Sequence, residues 1–457
     1  MATQTFDVVV LGAGPAGEVC AGRLADGGHR VAIVEEHLVG GECSFYACMP
    51  SKALLRPAQA LDEARRTPGA AQAVTGALDA TAVLERRDEI VHDLDDAAQV
   101  PWLESKGIVL VRGRGRLDGA RRVRVGDDVL EATRAVVVAT GSDAAMPPIE
   151  GLAEARPWTN REATNATRPP ERLVVLGGGP VGVELAQAWR TLGSEVALVE
   201  SGPHVLSREE PFAAEEVEGA LRDAGVDVRT GRRAERVERE GDGPITVVLD
   251  DGARITGDEL LLGLGRTPRT EDLGLETVGL EDGGYVTVDR HLHVPEQPWL
   301  YAIGDVNGRA LLTHQGKYQA RVAADHICGR HNSSIVYGGS LSPRVVFTEP
   351  QVASVGYTLR GAIDAGIDAR AVDADVNDTG GASFTGSGVP GRARLVVDEN
   401  RRVLVGATFT GADVADFLQA ATIAIVGDVP IDRLWHAVPP FPTRSEVWVQ
   451  LLEAYGL

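Results

Sequence analysis

Two stretches of the chain share one order of apolar and polar positions. Phe6 to Leu11 is a short apolar run that breaks at Gly12-Ala13-Gly14-Pro15-Ala16-Gly17. A helical period follows to about Gly27, and a second apolar run, Val31 to Val34, ends at Glu35. Leu173 to Leu176 opens the second copy, with Gly177-Gly178-Gly179-Pro180-Val181-Gly182, a helical period, and Val196 to Val199 ending at Glu200. In each copy the terminal acid lies eighteen positions after the last glycine. Strand, glycine turn, helix and strand in this order make a dinucleotide-binding half, in which the glycines admit a pyrophosphate to the helix N-terminus. The competing reading of either stretch is a glycine-rich turn without ligand; the flanking strands and the placed acid weigh against it.

Between and after these units the pattern is less regular. Leu61 to about Lys106 is charged and helical in period, Ile108 to Val111 leads into Gly113-Arg114-Gly115, and Val123 to Val125 reads as a strand. Ala135 to Val138 is another strand, running into Ala139-Thr140-Gly141-Ser142, and Pro147-Pro148 with Gly151 marks a hinge. Ile245 to Leu249 and Leu260 to Leu264 precede Gly265-Arg266-Thr267-Pro268. Trp299 to Ile303 is a strand ending in Gly304-Asp305, and a helical stretch runs from Leu311 through Thr313 and His314 to about Cys328. From Tyr337 the texture changes to alternating strands (Val345 to Phe347, Ala353 to Val355, Ala393 to Val397, Val403 to Phe409) with helical segments around Ala412 to Val426 and Ser445 to Tyr455. The expected class is α/β with two Rossmann-like dinucleotide-binding domains and a C-terminal α+β domain suited to packing or dimerisation.

Composition narrows the partners. At 457 residues two to four domains are expected, and a net charge of −21 opposes nucleic acid and anionic membrane surfaces. The basic residues are nearly all arginine; the only lysines are Lys52, Lys106 and Lys317. Four cysteines, Cys20, Cys43, Cys48 and Cys328, are too few for a secreted disulfide scaffold. No signal-peptide pattern opens the chain and no run has membrane-spanning length, so a soluble cytoplasmic protein is expected.

The chemistry concentrates in Gly40-Gly41-Glu42-Cys43-Ser44-Phe45-Tyr46-Ala47-Cys48-Met49-Pro50-Ser51-Lys52. Pro50 suits a first helical turn, and Lys52 to Ala60 reads helical. Cys48 then lies at or just before a helix N-terminus, where the dipole favours a thiolate. A structural disulfide, two buried thiols or a zinc half-site compete with a redox-active pair. No second Cys or His pair at ligand spacing supports zinc, so no metal is expected. A redox pair needs an electron source nearby.

The whole chain, in order, resembles the flavoprotein disulfide reductases: dihydrolipoamide dehydrogenase, glutathione reductase, mycothione reductase and mercuric reductase. The resemblance implies FAD on the first glycine unit (Gly12, Gly14, Pro15, Gly17, Glu35) and NAD(P)H on the second (Gly177, Gly179, Gly182, Glu200). It implies a redox disulfide between Cys43, the thiol that attacks substrate, and Cys48, the thiol that contacts flavin. It places Gly41, Gly115, Thr140, Gly141, Gly265, Gly304, Asp305, Thr313 and His314 along the cofactors, with Lys52 and Glu184 as an ion pair near the flavin N5 and the nicotinamide. Glu184 as an ordinary helix carboxylate is the plainer alternative. The implied domains are 1–150 and 269–338 for FAD, 151–268 for NAD(P) and 339–457 for a homodimer interface that completes the partner's active site. A carboxylate at Glu200 favours NADH, whereas Arg208 just downstream could serve the 2′-phosphate of NADPH.

The chain departs from the family at its C-terminus. A His-Pro-Thr-x-Ser-Glu type stretch there supplies the acid–base histidine; here His436-Ala437-Val438-Pro439-Pro440-Phe441-Pro442-Thr443-Arg444-Ser445-Glu446 aligns Glu446 but puts Phe441 at the base. Phenylalanine takes no proton. His436 is either displaced into the role or an ordinary surface histidine. Glu42 replaces the usual threonine, and Phe45, Tyr46 and Phe441 add aromatic bulk. The tail lacks the second cysteine pair of mercuric reductase and the larger thioredoxin reductases. Three functions follow as expectations: electron transfer from NADH to a small quinone-like or atypical acceptor, conventional disulfide reduction, or a flavin-bearing binding subunit with little turnover. The intact Cys43, Cys48, Lys52 and Glu184 weigh against the last.

Overall fold

A computed structural model describes residues 3–330, 334–384, 388 and 390–457. Five helices bear the residues of interest: α1 (Pro15–Asp26), α2 (Gly41–Phe45), α3 (Cys48–Arg66), α4 (Pro180–Thr191) and α5 (Thr313–Ile327). The chain divides into two compact units, 1–50 with 88–145 and 265–342, and 51–87 with 146–264 and 343–457.

The first unit is built on a parallel sheet ordered Gln297–Ala302, Asp128–Val138, Thr3–Leu11, Val31–Glu35 and Val109–Arg112, with a short antiparallel strand beyond Gln297–Ala302. Its central strands are apolar along their length because both faces are covered. Val8, Val10, Ile33 and Val137 pack with Ala21 and Leu24 of α1 and Ala320 and Ala323 of α5; Val9, Leu11, Val34 and Val136 pack on the opposite face with Leu117 and Leu300. Phe6 joins the second set although parity would put it with Val8. A register shift between Phe6 and Val8 turns it over, as a one-residue slip must.

The second unit repeats the parallel motif, with Asp227–Thr230, Glu195–Glu200, Arg172–Leu176 and Glu259–Leu262 in that order. A three-stranded antiparallel sheet (Ala234–Arg239, Ile245–Leu249, Arg254–Gly257) packs Val237 and Val247 against Val174 and Leu176. A five-stranded antiparallel sheet closes the chain, ordered Arg344–Val346, Gln351–Gly356, Val403–Gly411, Arg392–Asp398 and Ala369–Asp375.

One local expectation needs correction. Helix does not run on through Leu61 to Lys106: α3 stops at Arg66 before Thr67-Pro68-Gly69, and helix resumes only at Ala80–Ile90 and Val100–Ser105. Proline and left-handed Gly69, at φ +95°, end a helix in the usual way. The segment holding Cys43 forms the short helix α2. Gly40, at φ +108°, absorbs the change of direction, and Glu42 sits in the first turn where an acid opposes the exposed N–H dipoles.

Candidate active site

The two glycine turns fold alike. Gly12 has φ +102°, and a Cβ there would stand 2.4 Å from the Ala139 carbonyl oxygen; at Gly17 it would stand 1.9 Å from that of Gly12. Gly177 and Gly182 repeat this, at 2.5 Å from the Gly263 oxygen and 1.9 Å from the Gly177 oxygen. Gly14 and Gly179, at the mouths of the turns, face open space, with nothing within 4 Å of Gly14 and only the Gly263 oxygen, at 3.9 Å, near Gly179. Pro15 and Pro180 begin α1 and α4 behind them. Each terminal acid closes on its own turn. Glu35 accepts the Ala13 N–H at 2.7 Å and the His37 N–H at 2.8 Å; Glu200 accepts the Gly178 and Gly202 N–H groups, both at 2.6 Å. An open helix N-terminus, a close backbone turn and a fixed carboxylate are what a dinucleotide requires, so FAD and NAD(P) fit these two turns. Arg208 is exposed.

The two thiols belong to the first unit. A Cβ on Gly41 would lie 2.8 Å from Gly14 Cα, and the Gly40 N–H donates to the Ala13 carbonyl at 2.8 Å, so α2 lies against the first glycine turn. Cys48 is the first residue of α3, and its Sγ is 3.3 Å from Thr313 Oγ1 at the start of α5. No disulfide joins Cys20, Cys43, Cys48 or Cys328 in this structure. Hydrogen bonding to Cys48 and burial push the Cys43 thiol up, while Thr313 and the positive charge of Lys317 pull it down. His314 is exposed.

Beside α2 lies a polar group that ties the expected Asp305 to Ser142 and Arg266. Ser142 donates to Asp305 Oδ2 at 2.6 Å, and Arg266 Nε donates to Ser142 Oγ at 3.0 Å. Burial pushes the Asp305 carboxyl up against the opposing pull of Ser142 and Arg266. Glu42 lies 3.5 Å from Arg269 and 3.9 Å from Arg266, which answers its charge. Thr140 donates to the Arg269 carbonyl at 2.8 Å, and Gly141, Gly265 and Gly304 take φ of +77°, +116° and +76°. Gly304 donates its N–H to Gln319 Oε1 at 2.8 Å. Gly115 has a packing reason of its own, since a Cβ would stand 2.5 Å from Leu11 Cδ2 and 2.9 Å from Val34 Cγ1. Arg266 and Arg269 bracket the Thr267-Pro268 step, but no local pattern tells which acid an arginine will meet.

The second unit holds the ion pair. Lys52 Nζ is 2.7 Å from Glu184 Oε2, Glu184 Oε1 accepts the Phe347 N–H at 2.9 Å, and the ammonium lies 4.7 Å from the Phe347 ring centre. The Glu184 carboxylate is 7 % exposed, so its charge is held by these partners rather than by water. In the same unit Glu446 accepts the Thr443 N–H at 3.3 Å and closes a capping box. Phe441 is 79 % exposed and Val438 81 %. His436 is exposed, and among the described residues no hydrogen bond or ion pair joins it to Glu446. No group of three or more His, Cys, Asp or Glu placed to hold a metal ion occurs among the described residues.

Comparison with known proteins covers the whole chain. Residues 6–326 match the family model of the pyridine nucleotide-disulphide oxidoreductases, and residues 342–452 match the dimerisation domain of the same family. A dihydrolipoyl dehydrogenase of Thermus scotoductus is 32% identical over 99% of this chain and 97% of its own, and a mercuric reductase of Staphylococcus aureus is 28% identical over 96% and 81%. Among solved structures, LpdA from Mycobacterium tuberculosis superimposes with a TM-score of 0.87 at 26% identity, covering 100% of both chains. A Cu(II) complex of the HOCl-induced flavoprotein disulfide reductase RclA from Escherichia coli gives 0.86 at 25%, covering 98% of this chain and 99% of that one.

Proposed function

This chain belongs to the pyridine nucleotide-disulphide oxidoreductase family, and from that premise we propose that it passes electrons from NADH, through FAD and the Cys43–Cys48 pair, to a small acceptor other than a standard lipoyl or glutathione disulfide. It is a flavoprotein oxidoreductase whose cofactors are FAD and NAD(P)H, and it carries the family's dimerisation domain, which makes it a homodimer. No helix among the described residues is long and apolar enough to cross a membrane. The finer assignments are our own: domains over 1–150 with 269–338, 151–268 and 339–457, a cytoplasmic setting that keeps the thiols usable, and an active site completed by the partner subunit.

Bound FAD and nicotinamide supply the hydride chemistry. The residues of the chain supply position and charge. Gly12, Gly14, Gly17 and Glu35 hold one dinucleotide, and Gly177, Gly179, Gly182 and Glu200 hold the other. The Glu200 carboxylate repels a 2′-phosphate, hence NADH. Lys52, fixed by Glu184, supplies positive charge where reduction makes negative charge. Cys48, whose Sγ is 3.3 Å from Thr313 Oγ1, would be the thiol that contacts the flavin, and Cys43 the thiol open to exchange.

One observation supports an unusual acceptor. Phe441 stands where the family's acid–base histidine is expected, and Glu446, that histidine's usual partner, is taken up by the Thr443 backbone. A quinone takes two electrons and two protons with no leaving thiolate to protonate, so its reduction does not call for the positioned acid that disulfide exchange uses. The opposing reading, a conventional dihydrolipoamide dehydrogenase using His436 or water as proton carrier, draws on the full-length similarity to dihydrolipoyl dehydrogenases. An acceptor screen separates them: quinones should be reduced well, lipoamide and glutathione disulfide poorly. Robust lipoamide turnover that disappears in Glu446→Ala or His436→Ala would establish the conventional reading instead.

A further inference from the structure

Of the three lysines in this arginine-rich chain, Lys317 lies one helical turn after Thr313 on α5, on the same face as the threonine whose Oγ1 is 3.3 Å from Cys48 Sγ. Its neighbour Gly316 lets α5 come close to α1. A Cβ there would stand 3.3 Å from that of Ala16 and 3.4 Å from Gly304 Cα. Glu18 lies two residues beyond Ala16 on α1, and the Gly14–Gly41 approach brings α2, with Cys43, against the same end of α1. The helices bearing Cys43, Glu18 and Lys317 therefore meet at one place within the first unit.

The electrostatics of that place are lopsided. Burial pushes the Glu18 carboxyl up to about 7, with Lys317 pulling it down and Glu35 pushing it further up. The same Lys317 opposes the burial and Cys48 hydrogen bonding that raise the Cys43 thiol. Other charges near the thiols are committed elsewhere: Glu42 to Arg266 and Arg269, and Glu35 to its glycine turn.

We propose that Lys317 is the positioning residue that lets Cys43 ionise for exchange, with Glu18 as its counter-charge. The dithiol is then tuned by an ammonium on its own α5 rather than by a histidine. This rests on Cys43 being the exchanging thiol, as in the function proposed above. Two electrons from NADH and one proton break the Cys43–Cys48 S–S bond and leave a thiolate on Cys48 and a thiol on Cys43. Release of the Cys43 proton to water then makes the nucleophile, and the Lys317 charge favours that release. Lysine suits this as a compact, mobile point charge, and arginine at the same place keeps the charge. Above pH 7 an ionised Glu18 cancels part of the Lys317 field, and because Lys317 is exposed, added salt screens it.

The test uses the holoenzyme, reduced anaerobically with one equivalent of NADH and labelled with iodoacetamide from pH 6 to 9, with the labelled cysteine located by peptide mass. Label is expected on Cys43. Lys317→Met should slow it about three- to tenfold at pH 7 and move its pH midpoint upward, the size of one partly screened charge. Lys317→Arg should label nearly as wild type. Glu18→Gln should act in the opposite direction, speeding label about two- to threefold above pH 7 and less in high salt. Flavin absorbance confirms that each variant is folded; if Lys317→Met loses flavin, the Glu18→Gln arm decides. Label on Cys43 at rates indifferent to Lys317→Met and Glu18→Gln would overturn the role of Lys317 while sparing the functional reading. Label on Cys48 instead would overturn both.

Discussion

The ammonium of Lys52 lies 2.7 Å from Glu184 Oε2, and the second carboxylate oxygen of Glu184 accepts the Phe347 N–H at 2.9 Å. Glu184 therefore has both oxygens engaged and is nearly dry, whereas Lys52 keeps 35 % of its side chain in water. Glu184→Ala should leave the Phe347 N–H without its acceptor and the ammonium without its counter-ion. The expected cost is about 1–3 kcal/mol of stability by urea unfolding, together with slower flavin reduction by NADH in stopped flow. Glu184→Gln, which keeps a carbonyl acceptor for Phe347, should recover most of the stability but not the rate. Equal rates in Glu184→Gln and wild type would show the pair to be structural only.

The glycine turns make separable predictions. A methyl at Gly17 or Gly182 would collide with a carbonyl oxygen 1.9 Å away in its own turn. Gly17→Ala should be purified with most of its flavin missing. Gly182→Ala should keep its flavin and show a raised KM for NADH. Flavin content by absorbance and NADH saturation curves check the two arms, and loss of flavin from Gly182→Ala would contradict the assignment of the second turn.

Nicotinamide preference should turn on Glu200, whose carboxylate is fixed by the Gly178 and Gly202 N–H groups at 2.6 Å. Glu200→Ala should raise the NADPH to NADH ratio of kcat/KM by about tenfold, as removal of one like-charge repulsion predicts. Adding Arg208→Ala should lower the gain if that arginine meets the 2′-phosphate.

Stability should also respond to pH through Glu349. Burial pushes its carboxyl up to about 7 from the ordinary 4.5. A folded-state value above the unfolded one means that the folded chain holds the proton more tightly. The stabilisation is full below about 4.5 and is lost as pH rises through about 7, with a slope no steeper than about 1.4 kcal/mol per pH unit. Glu349→Gln, neutral at every pH, should flatten this decline in unfolding midpoints measured from pH 5 to 8.

What could be read in the sequence was whatever repeats at short range. The runs at Phe6 to Leu11 and Leu173 to Leu176, their glycine turns and the acids eighteen positions on all have local signatures, and the structure places them as two parallel βαβ halves. Helix α2 has little local signature: it is five residues long, and Gly40 and Gly41 before and at its start both take left-handed φ, +108° and +57°. The Phe347 N–H that orients Glu184 lies 163 residues away, and the Arg266 and Arg269 charges that answer Glu42 lie beyond 220, so no window on the chain could pair them. In the sequence Lys317 is only a rare lysine. Its meaning appears once Gly316 and Ala16 bring two helices together.

In the function proposed above, electrons from NADH reach the Cys43–Cys48 pair by way of the flavin. An anaerobic NADH titration of the holoenzyme followed by absorbance tests it most directly. After two electrons a long-wavelength band from the Cys48 thiolate beside oxidised flavin is expected, present in wild type and absent in Cys48→Ser. Direct bleaching of the flavin at the first equivalent, with no such band and with identical titrations for wild type and Cys48→Ser, would contradict it.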